Sequence, residues 1–177
     1  MNTELIEIDG RQVRTLRELL RPGLRAVFIG INPAPTSVDV GHYYQGRLGQ
    51  RFWTRIQSVG IAAGLPKGRE DDEAYKQGLG FADLVRRPTA TSDELKASEL
   101  EAATPDLARR LAVAEGALAV FVFKRAHDFA AEPLAARGWT VARMPGPYEP
   151  RASVADHLRR LAAQIGRQQP RREGQDA

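Results

Sequence analysis

The sequence predicts an α/β fold, a three-layer α/β/α sandwich around a short and largely parallel central sheet. Three observations carry that prediction. Apolar runs of strand length stand at Ala26-Val27-Phe28-Ile29 and at Ala117-Leu118-Ala119-Val120-Phe121-Val122-Phe123, unbroken as in strands buried on both faces. Segments of helical spacing alternate with them, the pattern of helix-covered parallel sheets. The 177 residues are 42% hydrophobic and 27% charged, with a mean hydropathy of −0.40. That suits one domain over residues 1–166, with 167–177 read as a disordered basic tail.

The elements follow in order. Thr15 to Leu20 reads as a short helix ended by Pro22-Gly23. The first strand is bounded by Gly30 and leads into Asn32-Pro33-Ala34-Pro35-Thr36-Ser37, where two prolines argue for a loop and against a helix directly after the strand. Gly41 to Gly49 is a loop rich in Gly and Tyr. Phe52, Trp53, Ile56 and Val59 then recur at helical spacing up to Gly60, with Phe52 and Trp53 expected in the core. Lys67 to Lys76 reads as a solvated helix or loop. Phe81 to Val85 is a short apolar stretch running into the polar segment Arg86 to Asp93.

Ser98 with Glu101 fits a capping box, and Thr104-Pro105-Asp106 looks like a helix restart. After the second strand come a helix over 125–136, a strand over 139–142 and a proline-bound loop over 144–150. Val154, Leu158, Leu161 and Ile165 mark one face of a closing helix. Ligands of such sheets bind beyond the carboxyl ends of the strands. That places the expected site in the loops 30–49 and 145–151.

Composition narrows the chemistry. The chain has no cysteine and only three histidines, His42, His127 and His157. Disulfide scaffolds, thiolate metal sites and cysteine nucleophiles are excluded, so no metal or cofactor is expected. No apolar run reaches the roughly 18 residues of a membrane span. The first residues lack a charged and then apolar leader, so a cytoplasmic location is expected. The net charge is +4 with a pI near 9.7, carried mostly by arginine. Guanidinium groups suit phosphate contacts, but a GC-rich genome also loads a proteome with arginine, and the charge alone does not choose.

The motifs do choose. Gly30-Ile31-Asn32-Pro33, Gly41-His42-Tyr43-Tyr44, Arg51-Phe52-Trp53 and Leu84-Val85-Arg86-Arg87-Pro88-Thr89 stand in that order, followed by a proline-containing loop. Between about Ala26 and Ile165 this set resembles the uracil-DNA glycosylase superfamily. Within it, the closest likeness is to the branch of mismatch-specific uracil-DNA glycosylase and thymine-DNA glycosylase. The resemblance implies a monofunctional DNA glycosylase that flips uracil, or a related damaged or mismatched base, out of DNA and hydrolyses its N-glycosidic bond. An abasic site would be left for base excision repair. The implied partner is double-stranded DNA containing uracil or mismatches, with single-stranded DNA a further candidate. The protein would act as a monomer in the bacterial cytoplasm and nucleoid.

The residues agree with that chemistry. Cleavage passes through an oxocarbenium-like sugar and a departing base anion, and the base must enter a pocket that reads its edge. Asn32 is placed at the attacking water. Its amide can orient a water but lacks the basicity to deprotonate one. Asp93 is the candidate second carboxylate, with Asp83, Glu94 and Asp39 as alternatives. Gly30, Ile31, Ala34, Ser37 and Tyr44 are placed at the base, Tyr43 being the alternative stacker. Lys124, or its neighbour Arg125, matches a phosphate position. In the second loop Gly146, Tyr148 and Arg151 are placed at DNA, with Tyr148 or Arg151 as the wedge that fills the vacated stack. Two departures from the family pattern stand out. Ala34 replaces a glycine, and Met144-Pro145-Gly146-Pro147-Tyr148-Glu149-Pro150-Arg151 is longer and stiffer than its counterparts. A non-catalytic lesion-binding module on the same fold, or a nucleoside hydrolase, are the alternatives.

Overall fold

The computed structural model describes residues 2–146 and 150–168, Arg151 by its backbone only. It opens with an antiparallel hairpin of β1 (Thr3–Ile8) and β2 (Arg11–Leu16). Asp9 and Gly10 join the strands, both at positive φ (49° and 72°), the conformation a tight two-residue hairpin demands and Asp-Gly supplies. The helix expected over Thr15 to Leu20 is therefore corrected. Leu16 ends a strand and is buried, and Leu19 exchanges backbone hydrogen bonds with Phe81 at 2.9 and 3.1 Å. These long-range partners outweigh a weak local helical preference.

The central sheet has the order β4-β3-β5-β6 and is parallel throughout. Its strands are β3 (Ala26–Gly30), β4 (Leu79–Asp83), β5 (Leu118–Phe121) and β6 (Val141–Arg143). Helices cover both faces, as the sequence predicts. On one face α2 (Gly46–Ser58), α3 (Glu70–Lys76) and α6 (Arg151–Arg167) pack Phe52, Trp53, Ile56, Ala74, Leu158, Leu161 and Ile165 against Phe28, Phe81 and Val120. On the other, α4 (Ala97–Leu111) and α5 (Lys124–Ala135) pack Leu100, Leu107, Leu111, Ala126 and Leu134 against Val27, Ile29, Ala82 and Phe121. Alternation along each strand sorts the two sets.

Four local expectations change. The prolines after β3 start a helix rather than prevent one. Ala34 is extended, as a residue before proline must be, and Pro35 takes the first position of α1 (Pro35–Val40), where a missing N–H costs nothing. Helix α4 runs unbroken through Pro105. The hydroxyl of Thr104 donates to the Leu100 carbonyl at 3.0 Å and so does not cap a new helix. The capping box forms at Thr91 and Glu94, on a 3-10 turn over Ser92–Glu94, and not at Ser98 and Glu101. In the charged stretch 67–76, α3 buries Glu70 and Asp71 fully instead of presenting them to solvent.

Among the described residues, no helix is long and apolar enough to cross a membrane.

Candidate active site

The connectivity places the site. After β3 the chain crosses to β4 on one side, whereas after β5 it crosses to β6 on the other. The carboxyl ends of β3 and β5 thus flank a crevice at the point where the winding reverses, the usual ligand position in open parallel sheets. Gly30-Ile31-Asn32 leave one strand there, and Phe123 and Lys124 follow the other.

Asn32 is half-buried and its amide nitrogen is fully used. It donates to the Arg87 carbonyl at 2.9 Å and to Thr89 Oγ1 at 2.7 Å. An amide has two N–H donors, so this orientation is assigned by the hydrogen-bond network and leaves Oδ1 as the group still able to accept. The loop that holds it is itself fixed. Thr89 donates its hydroxyl to the Thr91 carbonyl at 2.6 Å, its N–H donates to Pro33 at 3.3 Å, and Arg87 makes a two-pronged pair with Glu99. The N-terminal hairpin buttresses the same loop. Thr15, fully buried, donates to the Arg86 carbonyl at 2.7 Å, and the Arg86 guanidinium reaches Glu4 and the Leu16 carbonyl.

The aromatic loop is held as firmly. Gly41, left-handed at φ 81°, closes α1 by donating to the Ser37 carbonyl at 2.8 Å. The Ser37 hydroxyl, placed at the base by the resemblance, accepts the Gln45 N–H at 3.1 Å and so clamps the loop. Asp71 accepts from His42 Nδ1 at 2.8 Å and from the Tyr43 N–H at 2.9 Å. His42, Asp71 and Asp72 offer ligand atoms within 4.8 Å of one another. Their oxygens serve His42, Tyr43, Asn2 and Arg69, however, which makes the cluster a loop anchor. Tyr44 sits at φ 52°, and Gly49 lies so close to its backbone that a Cβ there would overlap it. Trp53 donates its indole N–H to the Tyr44 carbonyl.

Tyr44 differs from a freely exposed stacker. Its ring packs against Phe52 at 4.3 Å between centroids, and its hydroxyl is buried without a hydrogen bond among the described residues. Tyr43 lies in the core. Burial pushes both phenols well above the usual tyrosine range. Beneath Tyr44, Gly30 and Asp83 are paired in register. A Cβ on Gly30 would collide with Asp83 Oδ1 and come within 3.4 Å of the Tyr44 hydroxyl oxygen, so glycine is required there. Burial, reinforced by the charge of Glu18, raises the Asp83 carboxyl to about 8.

The remaining candidates are scattered. Ile31 is buried and Ala34 exposed. Asp93 lies on the 3-10 turn with 96% of its side chain exposed, 3.9 Å from Arg125; the structure brings its loop to Asn32 but not its carboxylate. Lys124 opens α5 and pairs with Asp128, while Arg125 donates to the carbonyls of Ser92 and Leu95. Gly146 follows Pro145, whose carbonyl accepts from Arg55 at 2.9 Å. Tyr148, Glu149 and the Arg151 side chain lie outside the described residues, as does the tail from 169. Sequence reasoning missed the hairpin, although Asp9-Gly10 between alternating strands signals it. From the motif alone it put Asp93 ahead of Asp83; the partner strand adds that Gly30 gives Asp83 its room.

A strand-end crevice with a braced asparagine beside an aromatic loop is the candidate site that this α/β fold builds. The chain belongs to the Uracil DNA glycosylase superfamily, whose sequence profile matches residues 18–164. Membership implies a DNA glycosylase, a hydrolase of DNA repair with DNA as its partner.

Proposed function

We propose that this protein is a monofunctional glycosylase that removes uracil, and related mismatched or damaged bases, from DNA, in the manner of the mismatch-specific uracil-DNA and thymine-DNA glycosylase branch. The observation that carries the reading is Asn32. Both its N–H donors are engaged by Arg87 and Thr89, so Oδ1 is held in one orientation at the crevice. A water donating to Oδ1 would be aimed at the anomeric carbon, and positioning of this kind supplies rate without proton abstraction. The flipped base would lie over Gly30 and Ile31 against Tyr44. As the glycosidic bond breaks, its electron pair leaves with the base and the water adds to the sugar, the proton it releases ending on the base anion.

Exposed Arg47, Arg51 and Lys124 border this end of the sheet and suit the phosphates of double-stranded DNA. In this reading residues 1–166 act as one domain and as a monomer, without metal or cofactor. The test is release of free uracil from duplexes carrying it opposite each of the four bases, and from a single strand. Release with an abasic product and no strand nick supports the reading. Retained affinity for uracil-containing duplex with no release on any substrate would favour a lesion-binding module instead.

A further inference from the structure

We propose that the N-terminal hairpin is a DNA-binding arm, and that Arg11 and Arg17 on its basic side take phosphates of the duplex next to the flipped nucleotide. The inference rests on DNA as the partner and adds a surface to the glycosylase reading. That surface lies outside the residues that carry the family likeness, which begin at 18, whereas the hairpin spans Thr3 to Leu16.

The hairpin is fixed to both walls of the crevice. At its root the Asn2 N–H donates to the Gly41 carbonyl at 3.1 Å, and the Asn2 amide donates to Asp72 at 2.8 Å, on the side of the aromatic loop. Further along, Thr15 and Glu4 hold Arg86, which opens the segment that grips Asn32. At the tip the charge of Asp9 reaches Arg87, whose carbonyl accepts from Asn32. A duplex that delivers a nucleotide between these walls passes alongside the hairpin. The two-residue turn at Asp9 and Gly10 holds the arm in one shape, so binding does not have to order it first.

The charge of the hairpin is sorted by strand. Glu4 and Glu7 belong to β1 and Asp9 to the turn, whereas Arg11 and Arg14 belong to β2 and Arg17 follows it. Three acids and three arginines cancel formally, but the body of the protein breaks the balance. Glu4 pairs with Arg86 at 2.6 Å. Glu7 lines a cleft of about 480 Å³ between β1 and α4, and Arg86, Arg87, Arg109 and Arg110 line it too. The acidic strand thus faces guanidinium groups of the body. Arg11, Arg14 and Arg17 are exposed, and no carboxylate among the described residues pairs with Arg11 or Arg17. Six residues of extended chain set these two about 20 Å apart. A guanidinium fork suits a phosphate, and two at this spacing can follow one backbone of the duplex. Such contacts position the protein without reading sequence.

The test compares Arg11→Gln/Arg17→Gln with Lys76→Gln/Arg137→Gln in the full chain, each checked for folding by circular dichroism. Lys76 and Arg137 are exposed at the amino-terminal end of the sheet, and their loss changes the net charge equally. The probes are a duplex containing 2′-fluorodeoxyuridine, which resists cleavage, and the same duplex undamaged, with binding followed by fluorescence anisotropy across a salt series. The hairpin pair is expected to bind both duplexes about tenfold more weakly near 0.1 M salt. Its plot of log affinity against log salt should be shallower by about 2, close to one unit per lost phosphate contact. The control pair should stay within twofold of wild type, and Arg11→Lys/Arg17→Lys should recover most of the slope. Unchanged affinity and slope in the glutamine hairpin pair overturns the proposal. So does an equal loss in the control pair, a lysine pair as weak as the glutamine pair, or a loss confined to single-stranded DNA. No readout needs turnover. Duplex binding through the hairpin without uracil release would count against the glycosylase reading alone, and uracil release with normal binding by the hairpin pair against this proposal alone.

Discussion

Asp83 ends β4 and Asp93 stands on the connection that runs from it to α4, and their surroundings are opposite. Asp83 is sealed at the strand end under Gly30 and Tyr44 with its proton held to about 8. Asp93 projects into solvent from a 3-10 turn, its side chain 96% exposed. Between them run Arg86 to Thr91, the segment that grips Asn32 and is gripped in turn by the hairpin. The contrast teaches that a carboxylate acquires unusual chemistry from the low-dielectric wall behind it, and that proximity in sequence to a motif confers nothing by itself.

The largest effect should come from Asn32. Asn32→Ala is expected to lower single-turnover uracil release by about a hundredfold or more, the scale of losing one positioning group, while DNA affinity changes little. Rapid-quench release and fluorescence anisotropy on the same duplex would separate the two. Next is the stability of the Asp83 pocket. A carboxyl whose folded pKa stands above its unfolded value holds its proton more tightly when folded. Its contribution is thus most favourable below the unfolded pKa, declines as pH rises towards about 8, and is level beyond. Asp83→Asn removes that decline. Urea unfolding should find the variant several kcal/mol more stable than wild type at pH 8.5 and nearly equal to it at pH 4.

A similar but smaller change tests the brace. Thr15→Val keeps the shape and leaves the Arg86 carbonyl without its donor, at a cost of about 1–2 kcal/mol. If the hairpin positions the Asn32 loop, release should also slow by several fold at saturating protein, where a merely structural role would leave the rate of the folded fraction unchanged. The smallest effect belongs to Asp93→Ala, expected to shift stability by less than about 0.5 kcal/mol and release by under threefold.

The architecture was legible because it is written in local patterns. The buried runs at 26–29 and 117–123 and the apolar faces of α2 and α6 suffice for a helix-covered parallel sheet. The motif at Gly30 to Pro33 put Asn32 at a strand end, where the structure holds it. What escaped depends on partners distant in sequence. Leu19 follows Phe81 and not its own helical preference, and Thr104 serves the helix it sits in. The ranking of the two aspartates turned on burial. Nothing in the sequence around Asp83 states that a glycine of the neighbouring strand leaves room for its carboxyl, nor that Arg110 would spend its guanidinium on Glu18. Tyr44 was readable as a loop aromatic but not as one with an orphaned hydroxyl.

The most direct test sets the braced asparagine against the exposed aspartate: single-turnover release of uracil from one mismatched duplex by wild type, Asn32→Ala and Asp93→Ala, with binding measured in parallel. A loss of about a hundredfold for Asn32→Ala beside a near-wild-type rate for Asp93→Ala is the predicted result. A near-wild-type rate for Asn32→Ala, or a comparable collapse for Asp93→Ala, would contradict an active site built on the braced asparagine.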